Sequence, residues 1–198
     1  MEIQIQNWNK SFGEHILFQN LNATFREGER YCLMGASGSG KTTFLRMLAG
    51  LERPDGGMCK GLKEKRISMV FQENRLCEGF NALDNIKMVL KRPEEGIIRR
   101  ELAALLPEEY IEQPVYRFSG GMKRRVAVVR AILADSDLLL MDEPFTGLDE
   151  SLKKQVMDYI MERQKNRIVI FTTHQEEDAE YMNAIIRKIY FTRNVKSM

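Results

Sequence analysis

Four short stretches of this chain are almost wholly apolar: YCLM at 31–34, ISMVF at 67–71, LLLM at 138–141 and IVIF at 168–171. Runs of this length with no polar face suit strands covered on both sides, as in a parallel sheet between layers of helix. The opening residues behave differently. Ile3 and Ile5 alternate with Glu2, Gln4 and Gln6, the period-two pattern of a half-exposed antiparallel strand. A second such strand is predicted over 16–25, ahead of a turn at Glu27-Gly28.

Between the apolar runs the period lengthens to that of a helix. Met122, Val126, Val129 and Leu133 form one stripe; Leu152, Val156, Tyr159 and Ile160 form another. Residues 73–118 hold no convincing strand. Ile86, Val89 and Leu90 predict one short helix, Ile98, Leu102, Leu105 and Leu106 a second, with KRPEEG separating them. AIIRKIYFTR at 184–193 predicts a final strand. The pattern is that of one α/β domain, with core segments 1–72 and 135–198 and an inserted helical subdomain at 73–134.

Composition narrows the class further. The chain has 198 residues, with 30 basic and 28 acidic side chains and a formal charge of +2. So even a balance gives no reason to expect a nucleic acid partner. The three cysteines, Cys32, Cys59 and Cys77, form no C-x-x-C pair and fit a reducing compartment. The first ten residues lack the apolar stretch of a leader peptide, and no run approaches the ~18 apolar residues of a membrane span. A role at a membrane would therefore need a partner that crosses it.

The chemistry begins at GASGSGKT, residues 35–42, which fits the phosphate-binding pattern G-x-x-x-x-G-K-[ST]. Gly35, Ala36, Ser37, Gly38, Ser39 and Gly40 would turn successive backbone N–H groups towards phosphate oxygens. Lys41 would reach the terminal phosphates and the Thr42 hydroxyl would ligate Mg²⁺, with Thr43 beside it in the first turn of the helix. The context agrees: an apolar strand precedes the loop and a helical stripe of Phe44, Leu45 and Leu48 follows it. LLLMDE then supplies two carboxylates at a strand's C-terminal end, Asp142 for Mg²⁺ and Glu143 as general base. Taken alone, that pair could equally be a strand running out into solvent. A second glycine-rich helix start, FSGGM at 118–122, is followed at once by Lys123, Arg124 and Arg125. Cations there oppose the helix dipole.

Phosphate loop, SGG and LLLMDE, in that order, resemble the ATPase subunits of ATP-binding cassette (ABC) transporters over essentially the whole chain. The resemblance implies a P-loop NTPase core with an N-terminal antiparallel β-sheet and an inserted helical subdomain. It also implies further roles. Gln72, directly after ISMVF, resembles the Q-loop glutamine that senses Mg²⁺ and the γ-phosphate. Asp149 in FTGLD is similar to the D-loop aspartate, and His174 after IVIFTT to the switch histidine. Phe12 in KSFG matches the aromatic residue that stacks on adenine. Ser119, Gly120 and Gly121 match the signature loop, which in this family closes over the ATP held by a second subunit. An anion docked there would ease the charge of Lys123, Arg124 and Arg125. Simpler readings stand beside these: Ser119 and Asp149 as helix N-caps, Gln72 as a polar strand end, His174 as a structural histidine. Either Trp8 or Phe12 could pack in the core, and His15 is read as structural. Phe118 and Met122 depart from the usual leucine and glutamine of the signature, and Pro114 lies one residue further from it than is common.

By resemblance, then, the chain hydrolyses ATP with Mg²⁺ to power a transporter from the cytoplasmic face of the cell membrane. Its expected partners are a second ATPase subunit, identical or different, and integral membrane permease subunits. The permease would sit in a groove beside the Q-loop, with 73–86 as the contact. That stretch resembles the nitrate, sulfonate and taurine importer ATPases, which points to import. The alternatives are an ABC ATPase acting on ribosomes or in DNA repair, and a regulatory module that binds nucleotide without hydrolysing it.

Overall fold

The two kinds of strand occupy separate sheets. The computed structural model describes residues 1–188. In it β1 (Glu2–Phe12) and β2 (His15–Arg26) form an antiparallel hairpin, closed where Phe12 faces His15. The apolar runs become β3 (Arg30–Met34), β5 (Ile67–Val70), β6 (Leu138–Met141) and β7 (Ile168–Thr172). With β8 (Ile185–Lys188) they build a sheet of order β5-β6-β7-β3-β8 in which every neighbouring pair is parallel. β8 carries the start of the predicted final strand; residues 189–193 of that prediction lie outside the described residues.

A strand with no signal in the pattern, β4 (Gly56–Lys60), pairs with the free edge of β1. Its sequence, GGMCK, has no apolar alternation. What makes it pair is close backbone approach: a Cβ on Gly57 would lie 2.2 Å from the Asn7 carbonyl oxygen. β1 itself contains a change of phase. Ile3 and Ile5 are buried, and then Trp8 and Lys10. The register shifts between Ile5 and Trp8, with Asn7 at φ +51°, and this bulge turns the even-numbered residues inward.

The helices are α1 (Lys41–Leu48), α2 (Ala82–Lys87), α3 (Glu95–Ala103), α4 (Gly120–Leu133), α5 (Glu150–Arg163) and α6 (Glu176–Tyr181). α2 is shorter than the spacing predicts. After Lys87 the chain tightens into i→i+3 turns, with Val89 N–H donating to the Ile86 carbonyl and Leu90 N–H to that of Lys87. That tightening swings Val89 out, leaving it 45% exposed. α6 was not foreseen, because QEEDAEY is nearly all polar. Two of its residues are nonetheless buried, and buried Asp178 pairs with Lys153 at 3.0 Å. Among the described residues, no helix is long and apolar enough to cross a membrane.

The parallel strands divide their side chains strictly between two cores. Tyr31, Leu33, Leu138, Leu140, Ile168 and Ile170 face the antiparallel sheet and α1. Cys32, Met34, Leu139, Met141, Val169 and Phe171 face the helical layer, in a cluster that also takes in Ile86, Leu102, Val126 and Ile160. This explains why those runs carry no polar face. Cys32 belongs to that interior: burial first, then the charge of Asp178, pushes its thiol up to about 12.

Phe44 is the keystone of the other core. It is 1% exposed and meets Trp8, Phe18 and Phe25 with ring centroids at 5.7, 6.1 and 6.1 Å. It thereby locks the helix of the phosphate loop to the antiparallel sheet. Phe44→Ala should cost about 3–5 kcal/mol in urea unfolding. A loss below about 1 kcal/mol would show that the two sheets are joined by something else.

Candidate nucleotide site

In a parallel sheet every strand ends at the same edge, and ligands of open α/β sheets bind there. The loops after β3, β5, β6 and β7 carry, respectively, GASGSGKT, Gln72, Asp142-Glu143 and His174. Four segments far apart in the sequence therefore leave the sheet together.

The phosphate loop is shaped by backbone that L-residues avoid. Gly38 and Gly40 lie at φ +73° and +84°, and Gly40 ends the loop as the residue preceding α1. Lys41 is buried and folds back over the loop, its Nζ donating to the carbonyls of Gly35 (2.8 Å) and Ala36 (3.0 Å). Burial lowers the pKa of its ammonium, while the nearby charges of Glu143 and Asp142 act in the opposite direction. Thr42 and Thr43 are half-buried in the first turn of α1. Ser39 is buried, and its Oγ has no hydrogen-bond partner.

The carboxylate pair is held asymmetrically. Asp142 is 2% exposed; its N–H donates to the Val70 carbonyl at 2.8 Å, and its Oδ1 accepts from Thr172 Oγ1 at 2.9 Å. Its Oδ2 is buried and unpartnered. Glu143 sits at φ +49°, its N–H donating to Thr172 Oγ1 at 2.8 Å. Glu143 Oε1 is 2.9 Å from Nε2 of exposed His174, and Oε2 accepts from Thr146 Oγ1 at 3.3 Å. Lys41, Asp142, Glu143 and His174 are thus brought to one place. Thr172, which holds two of them, is the residue that sequence reasoning passed over. A hydroxyl ending an otherwise apolar strand, two residues before the motif histidine, was its only signal.

Buried polar atoms without partners are uncommon in folded proteins, and each one asks for a reason. Here three of them, Ser39 Oγ, Asn74 Oδ1 and Asp142 Oδ2, belong to the loops that leave the sheet at this edge, and the first and last lie on the phosphate loop and the carboxylate pair. Among the described residues no group of three or more His, Cys, Asp or Glu side chains could hold a metal ion. A Mg²⁺ ion held by one carboxylate and a hydroxyl, with phosphate oxygens and water completing its shell, is the kind this donor set fits.

The glycine-rich start of α4 is built differently. Ser119 caps the helix, its Oγ accepting from Met122 N–H at 3.2 Å. A Cβ on Gly121 would meet Leu148 Cδ2 at 3.1 Å and the Gly147 carbonyl oxygen at 3.2 Å, whereas one on Gly120 would meet nothing within 4 Å. Phe118 is buried against Tyr110, with ring centroids 6.1 Å apart, so its replacement of leucine acts on packing. Asp149 caps α5, its Oδ1 accepting from Leu152 N–H at 2.9 Å. Both simple capping readings hold geometrically.

The expectation that an anion relieves the charge behind FSGGM is corrected by the geometry. Arg124 is buried, and its guanidinium donates to the carbonyls of Phe71 and Gln72. Arg125 is buried too, donating to Leu105 and to Gly121 at 3.3 Å. Lys123 pairs with Glu78 at 2.8 Å. Carbonyl dipoles and a carboxylate of the same chain compensate these cations; they are neither a solvated face nor an open anion receptacle. One consequence is that Gln72, exposed at the end of β5, is tied through its backbone to α4. At the hairpin end, Phe12 is 50% exposed with Lys10 Nζ 4.8 Å from its ring centroid, and Trp8 is the core aromatic.

Comparison with known proteins places the chain in a family. Residues 18–146, more than half of the chain, match the family model described as ABC transporter. The chain is 35% identical to the sulfate/thiosulfate import ATP-binding protein CysA of Neisseria meningitidis over 90% of its own length and 56% of that protein's. It is likewise 35% identical to CysA 2 of Rhizobium meliloti over 90% of its own length and 54% of that protein's. It therefore spans just over half the length of these curated relatives. Among solved structures, a bacterial ABC transporter cassette determined as a dimer is 26% identical, with 94% of each chain covered and a TM-score of 0.82. A dimeric post-hydrolysis state with ADP and Pi gives 26% identity, 94% coverage of each chain and a TM-score of 0.78. The chain belongs to the ABC transporter family and has the fold of its ATP-binding cassettes.

Proposed function

We propose that this protein is the ATP-hydrolysing subunit of a membrane importer, working as one of two cassettes. The observation that carries this is the split state of Asp142-Glu143. One oxygen of Asp142 is fixed by Thr172 while the other is buried and free, and Glu143 rests on His174 at the sheet edge that bears the phosphate loop. A carboxylate kept half-unsatisfied in the interior costs stability, and a cation at its free oxygen would repay that cost.

The roles follow from the positions. The backbone N–H groups from Gly35 to Thr43 cradle the phosphates of ATP, and Lys41 exchanges its two carbonyl partners for phosphate oxygens. Thr42 and Asp142 are the residues that would hold Mg²⁺, with Gln72 close to its shell. The ion, when bound, supplies charge neutralisation at the phosphate oxygens. Glu143 takes the proton of the attacking water, and His174, hydrogen-bonded to it, faces the γ-phosphate. The exposed Phe12 ring offers its face to adenine.

Ser119, Gly120 and Gly121 present backbone donors at a helix start with open space in front of Gly120, which suits the γ-phosphate of ATP held on a second subunit. Asp149, beside them in the turn that Gly121 packs against, would share that interface. For the permease, a groove of about 730 Å³ runs beside β5, lined by Ile67, Met69, Phe71, Leu90, Arg130 and Leu133. Phe80 and Met88, both more than half exposed, add apolar surface in the neighbouring stretch. Import agrees with the names carried by the relatives. A peripheral position on the cytoplasmic face of the membrane follows from this partnership.

Glu143→Gln tests the two-cassette reading. The variant should bind ATP, lose at least about 100-fold in phosphate release, and elute as a dimer in size-exclusion chromatography with ATP. A variant that binds ATP and stays monomeric at high concentration would overturn the mechanism.

Ser119→Arg should have the opposite selectivity. Monomer affinity for ATP should stay within about twofold, because the residue lies outside its own phosphate loop, while the ATP-dependent dimer disappears. Should the Glu143→Gln/Ser119→Arg double variant still dimerise with ATP, the signature loop is not at the interface.

A further inference from the structure

We infer that Thr172 is a positioning residue for hydrolysis, its single hydroxyl fixing the Asp142 carboxylate and the Glu143 backbone at once; this rests on the reading of the site as an ATPase centre. The register of the sheet puts it there. β6 and β7 pair Met141 with Phe171, so Asp142 and Thr172 come next side by side. On its other edge β7 pairs Thr172 with Leu33, two residues before the phosphate loop begins. Thr172 therefore stands between the loop that cradles phosphate and the loop that carries the carboxylates.

It ends a strand that is wholly buried. Ile168 to Phe171 are all 0% exposed, as is Thr172 itself. A valine would fill the same space, so packing alone gives no reason for a hydroxyl here. The hydroxyl answers two demands that one atom can meet only by accepting and donating together. Glu143, a non-glycine residue at φ +49°, turns its N–H away from the strand ladder, and Thr172 Oγ1 accepts it at 2.8 Å. While accepting that N–H, the hydroxyl donates its own proton to Asp142 Oδ1 at 2.9 Å.

Two consequences follow for the chemistry. Because Oδ1 is engaged, Asp142 is held in one rotamer and only Oδ2 remains for a cation. Because its backbone is pinned, Glu143 keeps the left-handed turn that carries its carboxylate to His174. Thr172 is itself fully buried. It acts through Asp142 and Glu143.

The test compares Thr172→Val and Thr172→Ser with the unaltered protein in three measurements: phosphate release, thermal unfolding, and affinity for a non-hydrolysable ATP analogue with Mg²⁺ and with EDTA. In Thr172→Val, turnover and the gain in affinity that Mg²⁺ confers should each fall about 10–100-fold, as when a residue supporting a metal ligand is lost. Affinity in EDTA should stay within about twofold. Thr172→Ser, which keeps the hydroxyl, should restore both to within about threefold. If Thr172→Val does not fold, Thr172→Cys, similar in size and a poor hydrogen-bonding group, is held to the same expectations. The inference falls if the valine variant keeps the Mg²⁺ gain and loses only thermal stability, or if serine fails to rescue. If the unaltered protein gains no affinity from Mg²⁺ and releases no phosphate, the ATPase reading falls with it.

Discussion

Everything at this site depends on strands that run the same way. A parallel strand cannot return through a two-residue hairpin; it must cross over and re-enter from the same end. The loops after β3, β5, β6 and β7 consequently leave from one edge, and with them the phosphate loop, Gln72, Asp142-Glu143 and His174. The same constraint dictates the apolar runs, because crossovers bury both faces of the sheet. Tyr31 and Leu33 must satisfy one core while Cys32 and Met34 satisfy the other. Where two of these strands reach the edge, polar side chains follow the apolar run: Asp142 after Met141, Thr172 after Phe171.

The second organising feature is electrostatic. Arg124 and Arg125 lie in the early turns of α4, where the helix dipole disfavours them, and burial lowers the pKa of both. Each guanidinium nevertheless carries five N–H donors in a rigid fork and can span backbone carbonyls that a lysine could not. Arg124 donates from its two terminal nitrogens to Phe71 and Gln72, its Nε remaining buried without a partner, and Arg125 donates to Leu105 and Gly121. The helix that begins with Ser119 is thereby riveted to the end of β5 on one side and to the segment after α3 on the other. The cations that look misplaced in the sequence are the fasteners of the loop in front of them.

These cases also show what could be read from residues alone. The antiparallel start, the buried strands and the helices at 41, 120 and 150 all follow from period and punctuation, and the phosphate loop from its glycines. β4 could not be read, because its pairing rests on a close approach at Gly57 rather than on apolar alternation. Nor could α6, whose buried acid is compensated by Lys153 from a distant helix. Trp8 and Phe12 were indistinguishable until the bulge at Asn7 reversed the phase of β1 and buried the first of them. The roles of Arg124 and Thr172 are invisible for a related reason. A charged or hydroxyl side chain reads as solvent-facing unless its partner is known, and both partners lie elsewhere in the chain.

The glycine-rich start of α4 differs from the phosphate loop in one respect that matters for the proposed two-cassette reading. The phosphate loop is closed on itself by Lys41, so a ligand there must first take the lysine from Gly35 and Ala36. The loop at 118–121 is supported only from behind: Phe118 packs on Tyr110, Gly121 abuts Leu148 and Gly147, and two arginines hold the helix that follows. In front of Gly120 there is open space. A surface fixed from behind pays little ordering entropy when something binds to it. Gly121 packs against the turn that leads to Asp149, so the start of α4 and the start of α5 lie side by side. In the proposed pair, a second cassette meeting one would lie against the other, next to the start of α5, whose Lys153 pairs with Asp178 in α6, after His174.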